Sequence, residues 1–196
     1  NGIEDSVETL ATPSPSSPPP DAPLRIAIVT VISPDKAGFY QPATNTKTCY
    51  AARHGYSLFI ETPNLQPLAK KQGWNFYNFW WNKVVGLEKY LPYFDWVVTM
   101  DADIVVHNFE VKLEWFIEGS EQDTDIIITD HTQNINNGVL MVRNSKWSKT
   151  MIQDWYDRGR HGVNIGGAKR WAWDDQGAMW SLMLKHAGST NLCDQV

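Results

Sequence analysis

Cysteine is scarce: Cys49 and Cys193 are the two in 196 residues, too few for a disulfide framework, and neither has the paired Cys or His neighbours a zinc site needs. Basic runs are missing as well. The 17 Lys and Arg stand against 22 Asp and Glu, a formal charge of −5, and nothing in that pattern would track a phosphate backbone, which argues against nucleic acid as a partner. No stretch reaches the roughly 20 apolar residues that span a bilayer, so membrane attachment is expected only through an anchor upstream of residue 1. His54, His107, His131 and His161 show no ligand spacing, and no Asn-x-Ser/Thr sequon or internal repeat occurs.

What remains is a chain with 42% hydrophobic residues and ten Trp, enough to bury the core of one domain. Residues 1–23 are rich in proline and serine and read as a disordered stalk or linker. The remaining 24–196 read as one folded domain. LRIAIVTVI, from residue 24, is a β-branched run suited to a strand covered on both faces. A weak helix follows over 39–54, ended by Gly55, and then a strand over 56–61. Residues 75–91 place Phe76, Trp80, Val84, Leu87 and Leu91 on one helical face, with Asn78 and Asn82 on the solvated side. Further strands are expected at 95–100, 125–129 and 139–143. One amphipathic helix follows the cap Ser145, and another starts near Asp174. The alternation predicts an α/β fold with a mostly parallel central sheet flanked by helices. Ligands then belong at the carboxyl ends of strands, just after Ile32, Met100, Thr129 and Arg143.

Asp101-Ala102-Asp103 leaves the apolar run WVVTM directly. Two residues apart in extended chain, the carboxylates point to one side. Hard divalent cations such as Mn²⁺ or Mg²⁺ relieve that repulsion and keep positions open for a diphosphate. The plainer alternative has one Asp capping a turn and the other solvated. The same residues resemble the nucleophile motif of haloacid-dehalogenase-type phosphatases, with Asp101 as nucleophile and Thr129 and Asp174-Asp175 in later motifs. Against this, two strands and two helices precede the acidic pair, and Asp174-Asp175 follow no apolar strand.

Five segments together resemble glycosyltransferase family 34, the galactosyl-, mannosyl- and xylosyltransferases: the first strand ending in Thr30, Trp81-Asn82-Lys83, Asp101-Ala102-Asp103, INNGVLMVRN at 135–144 with Trp147-Ser148, and Trp173-Asp174-Asp175-Gln176. The resemblance covers about residues 24–187. It implies a GT-A fold, a Mn²⁺-bound UDP- or GDP-sugar donor, an oligosaccharide or glycan acceptor, and a retaining transfer of a hexose or pentose. Asp101 and Asp103 then match the metal and donor-diphosphate position, and Thr30 the point where the nucleotide meets the sheet. Lys83, at the edge of its helix's apolar face, either turns inward toward diphosphate or snorkels at the surface. Asn136-Asn137-Gly138 would let the backbone approach a sugar, or form an Asn-Gly turn. Asp174, Asp175 and Gln176 would meet the donor sugar and acceptor hydroxyl from a helix N-terminus, or only cap that helix. Trp171 or Trp173 would stack on a sugar ring.

The implied mechanism is metal-assisted departure of the nucleoside diphosphate, with attack by the acceptor from the same face, through either a front-face displacement or a covalent intermediate. The family's C-terminal His-x-x-Gly metal ligand has no match before Val196, and His186-Ala187-Gly188 comes too soon after Gln176; the expectation is an incomplete C-terminus. Golgi membrane localisation, with a lumenal catalytic domain, follows from the resemblance alone. A non-catalytic carbohydrate-binding module is the alternative from another class.

Overall fold

A computed structural model of the chain describes residues 22–62, 79–131, 134–161, 163–165, 168–170 and 175–186. Trp171, Trp173, Asp174 and most of the expected stalk lie outside the described residues. Strands β1 (Ile26–Val31), β2 (Ser57–Glu61), β3 (Trp96–Met100), β4 (Ile126–His131) and β5 (Asn134–Arg143) form one sheet in the order β2-β1-β3-β5-β4. β1 pairs with β2 and β3 in parallel, whereas β5 is antiparallel to both β3 and β4. The expected mostly parallel sheet is therefore a mixed one, with half its pairings antiparallel. The cause is local. β4 ends at His131 and β5 begins at Asn134, and so short a connection admits only antiparallel pairing.

That reversal decides where the site lies. β5 begins, rather than ends, beside the carboxyl end of β3: Met100 is opposite Val139, and Asp101 N donates to Gly138 O at 2.8 Å. Asn136, Asn137 and Gly138 are thus part of the strand, which starts five residues earlier than the sequence suggested, and the register shifts between Ile128 and Thr129. Arg143 lies opposite Trp96 at the other end of the sheet. There its guanidinium binds Asp125 and the carbonyls of Gln122 and Asp123, so the chemistry expected just after Arg143 belongs at the other end of β5.

Alternating residues of β1 feed two cores. Ala27 and Val29 pack with α2 (Asn82–Tyr90), α4 (Lys146–His161) and α5 (Asp175–His186), through Val84, Leu87, Met151, Ile152, Trp155, Met179 and Leu182. Ile26 and Ile28 pack with α1 (Gln41–His54) and α3 (Leu113–Glu118), through Tyr50, Ala51 and Leu113. β3 is buried along its whole length, as a strand between two helical layers must be. Two further strands, β6 (Val163–Ile165) and β7 (Ala168–Arg170), pair with each other as an antiparallel ribbon. Among the described residues no helix is long and apolar enough to cross a membrane.

The helix ends show where local chemistry is decisive. α1 stops at Gly55, whose φ of 75° is left-handed and whose N–H donates to Ala51 O, a conformation that costs glycine nothing. α4 starts with Ser148 N donating to Ser145 Oγ at 3.0 Å, as the cap required. The helix expected over 75–91 is shorter: a 3-10 turn at Phe79–Trp81 precedes α2. Its tighter winding rotates the face, leaving Trp80 59% exposed and Trp81 fully buried. Asn82, expected in solvent, is buried by the same rotation.

Arg25 and Asp95 tie the starts of β1 and β3 together. The guanidinium meets both carboxylate oxygens, at 2.9 and 3.2 Å, and Arg25 N donates to Asp95 Oδ2 at 2.8 Å. Burial would raise the Asp95 carboxyl, but these bonds outweigh it and hold it below the usual range. A depressed carboxyl stabilises the fold above its unfolded value of about 3.9 and loses that contribution as pH falls through the folded value. Asp95→Asn is expected to cost about 1 kcal/mol at pH 7. Thermal melts should show the gap to the native chain narrowing below pH 4.

Candidate functional site

At the carboxyl end of β3 the buried backbone turns at Asp101-Ala102-Asp103, where Ile104 N donates to Asp101 O at 3.1 Å. Asp101 and Asp103 line a cleft of about 310 Å³. Ser33, Lys36 and Tyr40, from the segment after β1, form another wall, and Phe79, Trp80 and Lys83 close it from the α2 side.

Lys83 does turn inward. Its ammonium lies 2.7 Å from Asp101 Oδ1 and 3.1 Å from Asp175 Oδ2, and donates to Asn137 O and Oδ1 at 3.2 Å. Four acceptor atoms from β3, β5 and α5 thus converge on one cation delivered by α2. Burial opposes its charge, but Asp175 and then Asp101 outweigh that and raise its pKa. Asp101, in contrast, is pushed above the usual carboxylate range: burial and the charges of Asp175 and Asp103 exceed the pull of Lys83. One ammonium shared among carboxylates leaves Asp101 only partly compensated.

Asp175 opens α5 but does not face the cleft. It is 4% exposed, accepts from Asn137 Nδ2 at 2.9 Å, and its carbonyl accepts from Trp155 Nε1 at 2.9 Å. The acidic helix start expected to point outward is instead locked behind Lys83 and Asn137, whose ammonium and amide meet the carboxylate that burial takes out of water. Gln176 Oε1 accepts from Asn137 N at 3.4 Å. Asp174, the third member of that set, lies outside the described residues. Thr30 is not brought into the cleft: it is fully buried in β1, and its Oγ1 has no hydrogen-bond partner among the described residues. Thr129 is on the edge strand β4, separated from Asp101 by β5, so it does not join the acidic pair. His186, at the far end of α5, packs on Trp147 and lies 3.8 Å from Asp154.

Gly138 allows the crossing of β5 past the acidic turn. A Cβ there would lie 2.9 Å from Asn136 Oδ1 and 3.3 Å from Asp101 Oδ2, and Gly138 N already donates to Asn136 Oδ1 at 2.7 Å. Gly138→Ala must push the Asn136 amide off that N–H, so it is expected to cost about 1 kcal/mol, measurable by urea unfolding.

Sequence reasoning missed Lys47. It lies on the buried face of α1 with Ala43, Tyr50 and Ala51, and its Nζ donates to Ala102 O at 3.0 Å. Burial pulls its pKa down to about 8, while Asp103 and then Asp101 hold it up. The signal was present: Lys47 follows Ala43 by four residues and precedes Ala51 by four, the spacing of one helical face.

The donor set suits a hard cation in an open site. Asp101 and Asp103 present oxygens to one cleft, and among the described residues no group of three His, Cys, Asp or Glu is placed to hold an ion. Two carboxylates, with water and phosphate oxygens completing the shell, is how Mg²⁺ and similar ions are usually held.

Residues 47–166 match the family described as "Protein of unknown function, DUF273". No curated protein matches the sequence. Among solved structures, the fold is similar to that of a glycosyltransferase involved in the glycosylation of the major capsid of PBCV-1, with a TM-score of 0.52 and 18% identity over 70% of this chain and 68% of that one. At that identity the likeness is one of fold alone.

Proposed function

The chain belongs to the DUF273 family of proteins of unknown function, and from that premise we propose that it is a glycosyltransferase, transferring a sugar from a UDP- or GDP-linked donor to a glycan acceptor. One observation carries this reading: a glycosyltransferase-like fold ends its third strand in two cleft-lining carboxylates, with the Asn137-Gly138 backbone held against them. The finer assignment, to transferases like those of family 34 with retention at the anomeric carbon, rests on the order of the sequence motifs.

In this mechanism Asp101 and Asp103 would hold Mn²⁺ or Mg²⁺, and the ion would supply positive charge to the leaving diphosphate. Lys83 fixes the rotamer of Asp101 and pairs with Asp175, so the carboxylates need not reorganise when the donor arrives. Asn136, half-buried beside the acidic turn, would offer its amide to the donor sugar, while Asn137 and Gly138 are buried and support the turn. Gln176, at the start of α5, would meet the sugar or the acceptor hydroxyl, as its sequence motif implies. Lys36 lies across the cleft from the acidic pair and is placed to meet a phosphate oxygen. The exposed indole of Trp80 on the rim offers a flat face to a base or sugar ring.

The test is incubation with a panel of UDP- and GDP-sugars, with and without Mn²⁺, following release of the nucleoside diphosphate, beside a simple phosphate ester as the phosphatase substrate. Mn²⁺-dependent release from one donor class supports the transferase. Hydrolysis of the phosphate ester alone, lost in Asp101→Asn, would replace it with the phosphatase reading.

A further inference from the structure

A lysine whose whole side chain is buried needs a reason. Lys47 is 0% exposed, and its one hydrogen bond among the described residues is to Ala102 O, at 3.0 Å. An ammonium taken out of water with so few acceptors costs several kcal/mol unless nearby negative charge compensates. That charge is the acidic pair, approached from behind: Lys47 does not line the cleft, whereas Asp101, Ala102 and Asp103 do. The rest of α1 grips the outgoing chain. Thr46 Oγ1 accepts from Val106 N at 3.0 Å, Tyr50 Oη donates to Val111 O at 2.7 Å, and His54 Nε2 lies 2.8 Å from Phe109 O. α1 thus serves as a splint for residues 102–111, with Lys47 at the end where the carboxylates are.

We propose that Lys47 is the positioning residue of the acidic turn, holding the Ala102 carbonyl and setting the charge that Asp101 and Asp103 show to the cleft, so that a divalent cation binds firmly only together with a diphosphate. The charge balance supports this. Three carboxylates, Asp101, Asp103 and Asp175, are met by two buried ammonium groups, Lys47 and Lys83, with Lys36 a third on the cleft wall, so little net negative charge remains. A lone cation meets a site already largely neutralised from within, and a diphosphate supplies the missing negative charge. The proposal rests on the transferase reading only for the identity of the diphosphate ligand.

The experiment is calorimetric titration of MnCl₂ alone, and then of UDP and GDP at saturating Mn²⁺, into the native chain, Lys47→Met and Lys47→Arg, with a thermal melt of each. Removing one of two buried positive charges should tighten binding of Mn²⁺ alone about tenfold or more in Lys47→Met, while nucleoside diphosphate affinity falls about tenfold as the turn loosens. Lys47→Arg, which restores both charge and donor, should stay within about threefold of native in both. A merely structural lysine would lower the melting temperature of Lys47→Met and leave its Mn²⁺ affinity at the native value; that result, or no Mn²⁺ binding by any of the three proteins, overturns the proposal. Should Lys47→Met fail to fold, Lys47→Gln carries the same Mn²⁺ arm with the same charge removed. Failure of the native chain to bind either nucleotide would sink the transferase reading, while the Mn²⁺ arm still decides the part played by Lys47.

Discussion

Lys83→Met should lose about 3–5 kcal/mol of folding stability, the largest effect expected of any single substitution here. The methionine fills similar volume, so packing against Val84 and Leu87 changes little. What remains is a buried Asp175 whose carboxylate keeps only the Asn137 amide, and an Asp101 carboxyl already raised by burial and its like-charged neighbours. Without Lys83, Asp101 is driven further toward protonation. The loss should therefore shrink in acid, where protonation of Asp101 removes part of the unpaired charge, and urea unfolding at pH 7 and pH 5 checks this. An equal loss at both values, or a loss below 1 kcal/mol, would show that Lys83 is not what holds β3, β5 and α5 together. Lys83→Arg is not a conservative rescue, because the broad guanidinium must replace a point donor surrounded by four acceptors.

Asp103→Asn should act in the opposite way, leaving the fold intact and removing function. Asp103 is exposed and faces the cleft, and Asp101 still compensates Lys47, so the change in stability is expected to stay within about 1 kcal/mol. Yet it takes away one of two protein carboxylates available to a cation. Changes to residues that only orient metal ligands cost 10–100-fold in affinity, so loss of a ligand itself should weaken Mn²⁺-dependent nucleotide binding by roughly a hundredfold or more. The pairing of unchanged melting temperature with abolished binding separates a ligand from a structural acid. Lys83→Met, by contrast, is expected to lower the melting temperature and, because Lys83 orients Asp101, to weaken binding as well.

Much of the scaffold was legible because its signals are local. The runs ending at Val31 and Met100 are unbroken and β-branched, as strands between two layers must be, and Gly55 and Ser145 terminate and start helices through single backbone and side-chain interactions. The direction of β5 was not legible. VLMVR is equally apolar read from either end, and the fact that decides it, pairing that begins at Asn134 immediately after His131, is hidden under polar residues that resemble a loop. The inward turn of Lys83 was visible as one of two options from its place at the edge of the apolar face, but choosing between them required knowing that Asp175 and Asn137 lie across from it. Lys47 was overlooked for a related reason. α1 has little apolar stripe because the partner of its buried face is partly a polar loop, so its most informative residue looked like ordinary helix surface.

The central claim is that the carboxylates at the end of β3 hold a cation that in turn holds a nucleoside diphosphate. The most direct test is calorimetric titration of UDP and GDP into the chain with Mn²⁺ and again with chelator, using Asp103→Asn as the control. The account predicts that at least one nucleotide binds with Mn²⁺, loses that binding in chelator, and loses it equally in the variant. Binding of neither nucleotide with Mn²⁺, or binding unchanged by chelator and by Asp103→Asn, would contradict it.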